Sequence, residues 1–324
     1  MTASTPTRSS IVICTRNRAD DLNVTCRWLT STLGEDTLCE ILVVDNGSTD
    51  RTAELLEGLE QEYIGRFRSV FEPRPGLSLA RNRGIRETQG DIVIFLDDDA
   101  LPSSTWFASL IHAFDDPSVG AAGGPVDPVI TADFPDWFSA RFLPYLSAWD
   151  LGDKTLDLRY NEYPRGTNIA FRRSVFDRFG FFLPQLGRRG SSLRSCEEIE
   201  LCLRLERCGG RILYIPEARV EHKVDISRLT TKWMAKRFAA QGYSEAIMEW
   251  RHAGLNGLRI GRARIRDQVR AMGASDATTE KLFHECYKSA ARGYWAGNLY
   301  APLRIPRFRP AEPIQSVEAW LPPR

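Results

Sequence analysis

Hydrophobic and polar positions follow a regular order over the first hundred residues of the chain. Three short runs of β-branched and aliphatic residues, at 10–14, 41–44 and 92–96, are each followed by polar or glycine-rich residues. One helix-like stretch, 20–33, lies between the first and second runs, and another, 49–62, follows the second run. This alternation predicts a mainly parallel sheet with flanking helices, in which ligands bind beyond the carboxyl ends of the strands.

The pattern changes in the second half of the chain. Residues 120–163 are irregular and rich in aromatic side chains, which indicates either a satellite core or a sugar-stacking surface. Helical spacing returns at 197–208, and a short strand is expected at 211–216. We therefore predict an α/β domain over residues 8–224 and a basic, mainly helical extension with a proline-rich tail over residues 225–324.

Composition and charge exclude several classes of protein. With 43% hydrophobic and 26% charged residues, the chain of 324 residues is typical of a globular protein and unlike a fibrous or disordered one. Its formal charge of +1 does not support a nucleic-acid partner. The charge is unevenly distributed along the chain, because residues 225–324 carry a formal charge of +8 and the preceding residues one of −7. The seven cysteines include no Cys-x-x-Cys pair, so buried thiols are expected instead of a disulfide framework.

The location of the protein is predicted from what the sequence lacks. Residues 1–10 are polar and offer no apolar core for a signal peptide, and no apolar run approaches the roughly 18 residues of a membrane helix. We expect a cytoplasmic protein, either free or peripheral to the inner face of the membrane. Residues 258–270 interleave apolar positions with arginines, which indicates either a membrane-binding helix or a helical cap on the α/β domain or on a second subunit.

Three adjacent carboxylates, Asp97, Asp98 and Asp99, directly follow the third apolar run. Such carboxylates repel one another, so their position predicts a compensating cation, and hard oxygen ligands favour Mg²⁺ or Mn²⁺. A metal-free acidic loop is the alternative. A phosphatase with a nucleophilic aspartate shares this pattern, but its motif usually lies on the first strand and has a small residue where this chain has Leu101. Glycine-rich dinucleotide and Walker motifs are absent from the sequence.

The order of five segments resembles the family 2 glycosyltransferases, inverting enzymes of the GT-A fold that use nucleotide-diphospho-sugars. The segments are residues 10–18, 43–50, 76–84, 95–102 and 166–210. The resemblance covers about residues 8–224 and implies a Rossmann-like α/β domain. It also implies a nucleotide-diphospho-sugar donor, most commonly a UDP-sugar, and Mn²⁺ or Mg²⁺ as cofactor.

Matched position by position, the resemblance assigns the nucleotide and the metal to particular residues. The base-binding edge corresponds to Cys14, Thr15, Arg16 and Arg18, the carboxylate that holds the base to Asp45, and a basic position near the diphosphate to Arg81. Asp97 corresponds to a ribose or metal contact and Asp99 to a direct metal ligand, while Asp98 is the variable middle position. His222 follows the last core strand, where many relatives place a histidine near the metal, and imidazole favours Mn²⁺ over Mg²⁺.

The resemblance also assigns residues to the sugars and to the chemistry. Gly166 and Asn168 lie in the segment that frames the donor sugar and the acceptor, where the Asn168 side chain is expected to hydrogen-bond sugar hydroxyls. Glu197 and Glu198 stand where the family usually has Glu-Asp, and an inverting transfer needs a carboxylate that accepts the acceptor proton. By position Glu198 is the expected base. Because glutamate is one methylene longer than aspartate, Glu197 stays open as the alternative.

Two further expectations concern what the protein acts on. The Gln-x-x-Arg-Trp motif of processive synthases is not present near Lys232 and Trp233, which favours transfer of a single sugar. The expected acceptor is a glycan, a lipid-linked glycan or another hydroxyl compound. The pattern of the C-terminal helices is also compatible with a homo-oligomer formed through them. The competing hypothesis is a non-catalytic protein, either one that binds nucleotide sugars or a scaffold, which recruits partners through its basic C-terminal helices.

Overall fold

The computed structural model describes residues 8–34, 38–160, 162–271 and 278–308. The β-strands are β1 (Ser9–Thr15), β2 (Cys39–Asp45), β3 (Phe67–Phe71), β4 (Ile92–Asp97), β5 (Ala100–Pro102), β6 (Val119–Gly123), β7 (Val126–Val129), β8 (Leu156–Asp157), β9 (Asn168–Arg172), β10 (Arg211–Tyr214) and β11 (Val220–Lys223). The α-helices are α1 (Ala19–Thr32), α2 (Thr52–Glu62), α3 (Leu77–Glu87), α4 (Trp106–Ala113), α5 (Arg173–Phe179), α6 (Glu197–Arg207), α7 (Thr231–Ala271) and α8 (Thr278–Arg304).

An eight-stranded sheet forms the centre of the molecule, with the strand order β3-β2-β1-β4-β9-β6-β10-β8. The first four strands of this order are parallel, because each is connected to the next along the chain by a helix. β9 runs antiparallel to both of its neighbours, β4 and β6. The carboxyl ends of β1, β2 and β4 therefore meet at one edge, where ligands bind in sheets of this kind.

The predicted mainly parallel α/β sheet is confirmed, and so are the helices of the C-terminal region. The apolar runs at 10–14, 41–44 and 92–96 lie within β1, β2 and β4, and their aliphatic side chains are buried on both faces. The predicted start of the second helix at residue 49 is wrong by three residues. The carboxylate of Asp50 accepts hydrogen bonds from the backbone and hydroxyl of Thr52, which holds the preceding residues in a turn.

A smaller sheet of three strands, in the order β5-β11-β7, lies beside the end of β4. β11 pairs antiparallel with β5 and parallel with β7. The register places His222 directly opposite Ala100, the residue that follows the three aspartates. The small sheet thereby brings residues that are more than 100 positions apart in the chain to the edge of the large sheet.

The C-terminal helices pack on the irregular aromatic segment. Phe142 is fully buried, and its ring centroid lies 4.6 Å from that of Phe283 on α8. The Tyr145 ring stacks on Phe238 of α7 at 3.9 Å. Of the two interpretations of residues 120–163, the satellite core therefore applies to these rings. α7 changes direction at Gly254, whose φ of 60° is readily adopted only by glycine.

No helix in the described ranges is both long and apolar enough to cross a membrane. The seven cysteines are free thiols, and all except the half-buried Cys14 are buried. The proline-rich tail expected at the C-terminus lies, beyond residue 308, outside the described residues.

Candidate active site

A cavity of about 620 Å³ opens at the carboxyl ends of β1 and β4. The loop after β1, the turn between β4 and β5, the starts of α3 and α6, and one face of α7 form its walls. Eleven of the thirteen predicted site residues line it: Cys14, Thr15, Arg16, Arg18, Arg81, Asp97, Asp99, Gly166, Glu197, Glu198 and His222. The structure thus brings together side chains from segments that span more than 200 residues of the chain.

Asp97, Asp99 and His222 form a group in which each residue offers one ligand atom within 4.8 Å of the others. The pairing of β11 with β5 produces this group, and the backbone N–H of Lys223 donates to the carbonyl of Asp99 at 2.9 Å. The Nε2 atom of His222 lies 3.3 Å from Asp99 Oδ1. Two carboxylates and an imidazole at this spacing can hold one divalent ion of the size of Mn²⁺ or Mg²⁺.

The charges around Asp99 favour its ionised form. Burial works to raise its pKa, but the hydrogen bond and charge of His222, together with the charges of Arg18 and Arg228, lower the pKa to about 2. Arg18 Nη2 lies 2.8 Å from Asp99 Oδ2. The Nδ1 atom of His222 is buried and has no hydrogen-bond partner within the described part of the chain. An ionised carboxylate beside an unpartnered imidazole nitrogen fits a metal ligand set.

Asp98 ties the loop after β1 to the turn between β4 and β5. The hydroxyl of Thr15 donates to Asp98 Oδ2 at 2.7 Å, and the hydroxyl of Thr25 donates to its backbone carbonyl at 3.0 Å. Burial raises the pKa of Asp98 to about 7, and the charge of Arg18 partly opposes this rise. The middle aspartate is therefore an anchor for the loop that carries the predicted nucleotide contacts.

Arg81 is a buried cation that joins three segments of the site. Its Nη1 donates to Glu197 Oε1 at 2.9 Å, and its Nη2 donates to the carbonyl of Gly166 at 2.9 Å and lies 3.4 Å from Asp97 Oδ1. A Cβ atom at residue 166 would lie 2.8 Å from this guanidinium, which explains the glycine there. The hydroxyl of Thr167 holds the other Asp97 oxygen at 2.7 Å. These contacts fix the orientation of Asp97 and of Glu197.

Glu197 and Glu198 occupy the first turn of α6 and are both buried. The backbone N–H of Gly166 donates to Glu198 Oε1 at 3.3 Å. The Oε2 atom of each glutamate is buried without a hydrogen-bond partner among the described residues. Burial and the charge of Glu198 raise the pKa of Glu197 to about 7, although Arg81 acts in the opposite direction. Arg81 holds Glu197 in an ion pair, whereas Glu198 forms no ion pair within the described residues.

Two predicted site residues lie outside the cavity. Asn168 is fully buried: its amide group donates to the carbonyls of Pro125 and Ala218, and its oxygen accepts from the indole of Trp106 at 2.8 Å. The expected hydrogen bonds of Asn168 to sugar hydroxyls are therefore replaced by bonds that join the two sheets. Asp45 lies beside the cavity and accepts the backbone N–H of Ser48 at 2.8 Å, while the adjacent Asn46 lines the wall.

Several basic residues of the cavity escaped prediction. Arg188 lies in the loop before α6, and its sequence signal, the pair Arg188-Arg189, is weak. Arg228 and Arg237 come from the basic extension, whose contribution to the site depends on tertiary packing alone. The cavity residues that were not predicted include Tyr145, Arg165, Thr167, Arg188, Arg194, Arg228, Trp233, Arg237 and Gln241.

The sheet order and the acidic and imidazole groups at the strand ends define the class of the protein as a GT-A fold glycosyltransferase. A family model described as glycosyl transferase family 2 matches residues 10–180, and the chain belongs to this family. Two solved structures share the fold. A mannosyltransferase from Pyrobaculum calidifontis, in complex with GDP-Man and Mn²⁺, has a TM-score of 0.59 and 18% identity over 92% of this chain and 88% of its own. GalNAc-T7, with UDP, GalNAc and Mn²⁺, has a TM-score of 0.55 and 18% identity over 80% and 55% of the respective chains.

Curated relatives share more sequence but differ in their activities. A glucosyl-dolichyl phosphate glucuronosyltransferase of Haloferax volcanii is 34% identical over 54% of this chain and 56% of its own. The succinoglycan biosynthesis protein ExoM of Rhizobium meliloti is 29% identical over 70% of each chain. A pre-mycofactocin glycosyltransferase of Mycobacterium tuberculosis is 28% identical over 75% of this chain and 48% of its own. The aligned part of the chain thus spans about half the length of the first and third of these relatives.

Proposed function

We propose that the protein is a metal-dependent inverting glycosyltransferase that moves one sugar from a nucleotide-diphospho-sugar to an acceptor hydroxyl. The observation that carries this proposal is that the group of Asp97, Asp99 and His222 lines the same cavity as Glu198. Asp97, Asp99 and His222 would hold Mn²⁺ or Mg²⁺. When bound, the ion supplies positive charge that stabilises the departing nucleoside diphosphate.

The residues of the chain itself bind and orient the reactants. The loop of Cys14, Thr15, Arg16 and Arg18, together with Asp45, receives the nucleoside. Asp97 is fixed by Arg81 and the Thr167 hydroxyl, so its position does not depend on a ligand. Gly166 accepts a hydrogen bond from Arg81 through its carbonyl and donates one to Glu198 through its N–H, and it frames the sugar that is transferred.

Glu198 is the proposed general base. Its Oε2 atom is free to accept the proton of the acceptor hydroxyl as that oxygen attacks the anomeric carbon. The attack comes from the face opposite the departing diphosphate, so the configuration at the anomeric carbon inverts. Glu197 is the alternative: its pKa is raised to about 7 by burial and by the charge of Glu198, but its Oε1 atom is already held by Arg81 at 2.9 Å.

Calorimetry with nucleotides tests the proposal directly. We expect UDP or GDP to bind the full chain in the presence of Mn²⁺ and to bind at least tenfold more weakly after EDTA treatment. Asp99→Asn should remove this dependence on the metal. Asp153→Asn, which changes an exposed aspartate far from the cavity lining, is the matched control. Nucleotide binding that is equal with and without Mn²⁺ would contradict the metal role, and absence of any nucleotide binding would favour the scaffold hypothesis.

The proposed division of the chain assigns catalysis to residues 8–224 and a helical extension to residues 225–324. The extension contributes directly to the cavity through Trp233 and Arg237 of α7. Buried contacts also join it to the catalytic helix α6, since Glu200 pairs with Arg251 at 2.6 Å. We therefore propose that the extension is one wall of the active site as well as a separate segment of the sequence.

We also propose that the extension places the enzyme on the surface of an anionic membrane. Trp295, Leu299 and Leu303 repeat every four residues along α8 and are exposed, with Leu299 and Leu303 exposed by 76% and 81%. Arg262 of α7 lies over the Trp295 ring at 4.5 Å and so joins the two helices at this face. The described helical residues 255–270 and 278–304 carry nine basic and three acidic side chains. An apolar row beside basic residues suits a bilayer with negatively charged head groups.

Liposome flotation tests this attachment without removing any part of the chain. The full chain should bind vesicles that contain phosphatidylglycerol, and binding should weaken as the salt concentration rises. Leu299→Ser combined with Leu303→Ser should reduce the bound fraction severalfold. Ile64→Ser, which alters a side chain exposed by 83% on the catalytic domain, is the matched control. Equal binding of the double variant and the control, or self-association in place of vesicle binding, would contradict the membrane role.

A further inference from the structure

We propose that Arg165, Arg188 and Arg237 form an oxyanion-binding subsite for the acceptor, which accordingly carries a phosphate or a carboxylate close to the hydroxyl that is glycosylated. This inference rests on the proposed function, because it assumes that a nucleotide sugar occupies the metal side of the cavity. It adds the chemical class of the acceptor, which neither the family nor the strand-end residues define.

Three separate segments deliver these arginines to the cavity. Arg165 directly precedes Gly166, and its carbonyl accepts the backbone N–H of Asn168 at 2.9 Å. Arg188 belongs to the loop before α6, and its carbonyl accepts the N–H of Leu77 at 2.8 Å. Arg237 projects from α7. Backbone hydrogen bonds fix the main chain at the first two positions and a helix fixes it at the third, and all three residues line the cavity.

The guanidinium groups retain hydrogen-bonding capacity that the described residues leave unused. Arg165 Nε, Arg188 Nη1 and Arg237 Nε are each buried without a hydrogen-bond partner there. None of the three side chains lies within ion-pair distance of a described carboxylate, unlike Arg18 and Arg81 in the same cavity. Arg237 Nη1 donates to Gln241 Oε1 at 2.9 Å, a neutral partner that leaves the charge unbalanced. Half-buried cations without a carboxylate are costly, and an oxyanion with several acceptor oxygens satisfies the unused donors.

The electrostatics agree with this geometry. Burial and the charges of Arg237 and Arg228 lower the pKa of Arg188 to about 9, although the charges of Glu197 and Asp97 act in the opposite direction. Burial also lowers the pKa of Arg165, and the charge of Arg237 adds to this effect, whereas the charge of Glu198 opposes it. Arg237 therefore repels both Arg188 and Arg165, and an anion bound among them would relieve both the repulsion and the cost of burial.

We place the subsite on the acceptor side of the cavity because of Arg165, while Arg188 lies between the two sides, where the charges of both Glu197 and Asp97 act on it. Arg18 and Arg228 approach Asp99, so they belong to the metal side where the donor diphosphate would sit. Arg165 instead precedes the glycine whose N–H binds Glu198, and the Glu198 charge acts on Arg165. The hydroxyl that attacks must lie next to Glu198. An anion held by these arginines is thus part of the molecule that carries this hydroxyl.

A binding experiment on the nucleotide-loaded full chain tests the proposal. The protein is first saturated with Mn²⁺ and with whichever of UDP or GDP it binds, and it is then titrated with glucose 1-phosphate, glucuronate or methyl glucoside. We expect glucose 1-phosphate or glucuronate to bind at least about tenfold more tightly than neutral methyl glucoside, as charged hydrogen bonds to arginine predict. The comparison of phosphate with carboxylate identifies which oxyanion the subsite prefers.

Variants then test whether these arginines are responsible. Arg188→Gln and, separately, Arg237→Gln should each weaken the anionic sugar by about tenfold or more and leave the nucleotide affinity within about twofold. Arg194→Gln is the matched control, because Arg194 lines the same cavity but its guanidinium lies over the Tyr243 ring at 4.4 Å. Circular dichroism of each variant confirms that it is folded.

The outcomes separate this inference from the proposed function. Anionic sugars that bind no more tightly than methyl glucoside to the nucleotide-loaded protein would overturn the subsite alone. Variants that weaken the nucleotide as much as the anionic sugar would assign the arginines to the donor and would also overturn it. If no nucleotide binds with Mn²⁺ present, the proposed function fails, and arginine-dependent binding of glucose 1-phosphate to the unloaded protein would then still support an oxyanion site.

Discussion

Glu200→Gln tests the buried network that connects α6 to the C-terminal extension. Glu200 is fully buried on α6, two residues after Glu198. Its Oε2 atom lies 2.8 Å from Arg204, and its Oε1 atom lies 2.6 Å from Arg251 Nε and 3.0 Å from His252 Nε2. The substitution keeps the shape of the side chain but removes the only carboxylate that these contacts share.

The pKa of Glu200 sets the expected size of the effect. Burial works to raise this pKa, but the charges of Arg204 and Arg251 and the hydrogen bond from His252 lower it from 4.5 to about 2. A shift of this size corresponds to about 3 kcal/mol of stability at pH 7. Removing one partner of a buried ion pair costs a similar amount, about 3–5 kcal/mol. We therefore expect Glu200→Gln to lower the free energy of unfolding by about 3 kcal/mol at neutral pH.

The effect should depend on pH in a defined direction. Because the pKa is lower in the folded state, the stabilisation is complete above the unfolded pKa of 4.5 and is lost as the pH falls towards 2. Urea unfolding followed by circular dichroism should show that the difference between wild type and variant shrinks from about 3 kcal/mol at pH 7 to about 1 kcal/mol at pH 3. Glu57→Gln, at an exposed position on α2, is the control. A difference below about 0.5 kcal/mol at pH 7, or one that is constant with pH, would refute the network as a stabilising link.

Three further predictions concern catalysis and packing. Glu198→Gln should lower kcat by about 10²- to 10⁴-fold with little change in nucleotide affinity, and a larger loss for Glu197→Gln in the same assay would reverse the assignment of the base. Asn168→Ala should lower the free energy of unfolding, measured by heat or urea, by about 2–4 kcal/mol and leave the KM for the donor unchanged, because the hydrogen bonds of Asn168 are internal. A raised KM with unchanged stability would instead support the predicted sugar contact. Gly84→Ala should lower the free energy of unfolding by about 1–3 kcal/mol, since a Cβ atom there would lie 2.4 Å from Val12 Cγ1. An unchanged free energy of unfolding would show that α3 can shift away from β1.

The sequence allowed the first half of the fold to be predicted because each strand there is a continuous apolar run. β1, β2 and β4 are buried on both faces, so their runs are unbroken, and the polar residues that follow them lie at the ligand-binding edge. The antiparallel strand β9 and the small sheet could not be predicted in this way. Their pairing joins distant segments, and nothing in the local pattern of residues 168–172 distinguishes an antiparallel partner of β4 from a parallel one.

The site shows the same difference between local and tertiary signals. Asp97 and Asp99 were predicted from their place after a strand, and the position of His222 came from the family resemblance. Asn168 lay in a matching segment too, but its side chain points between the two sheets, a direction that depends on the position of Trp106 and that no sequence spacing reveals. The arginines of the extension carried only a general signal of positive charge.

The division of charge along the chain acquires a different meaning once the extension is seen to line the cavity. A separate basic domain would leave the acidic groups of the cavity to be balanced only by cations of residues 8–224, such as Arg18 and Arg81. Instead, residues after 224 supply Arg228 within 3.9 Å of Asp99 and Arg237 to the same cavity, so the two oppositely charged parts meet there. Deleting the extension would remove these cations, open one wall and leave Glu200 without Arg251. The two proposed roles of the extension, in the cavity and at a membrane, must therefore be separated by point substitutions, with Arg237→Gln for the cavity and Leu303→Ser for the exposed face.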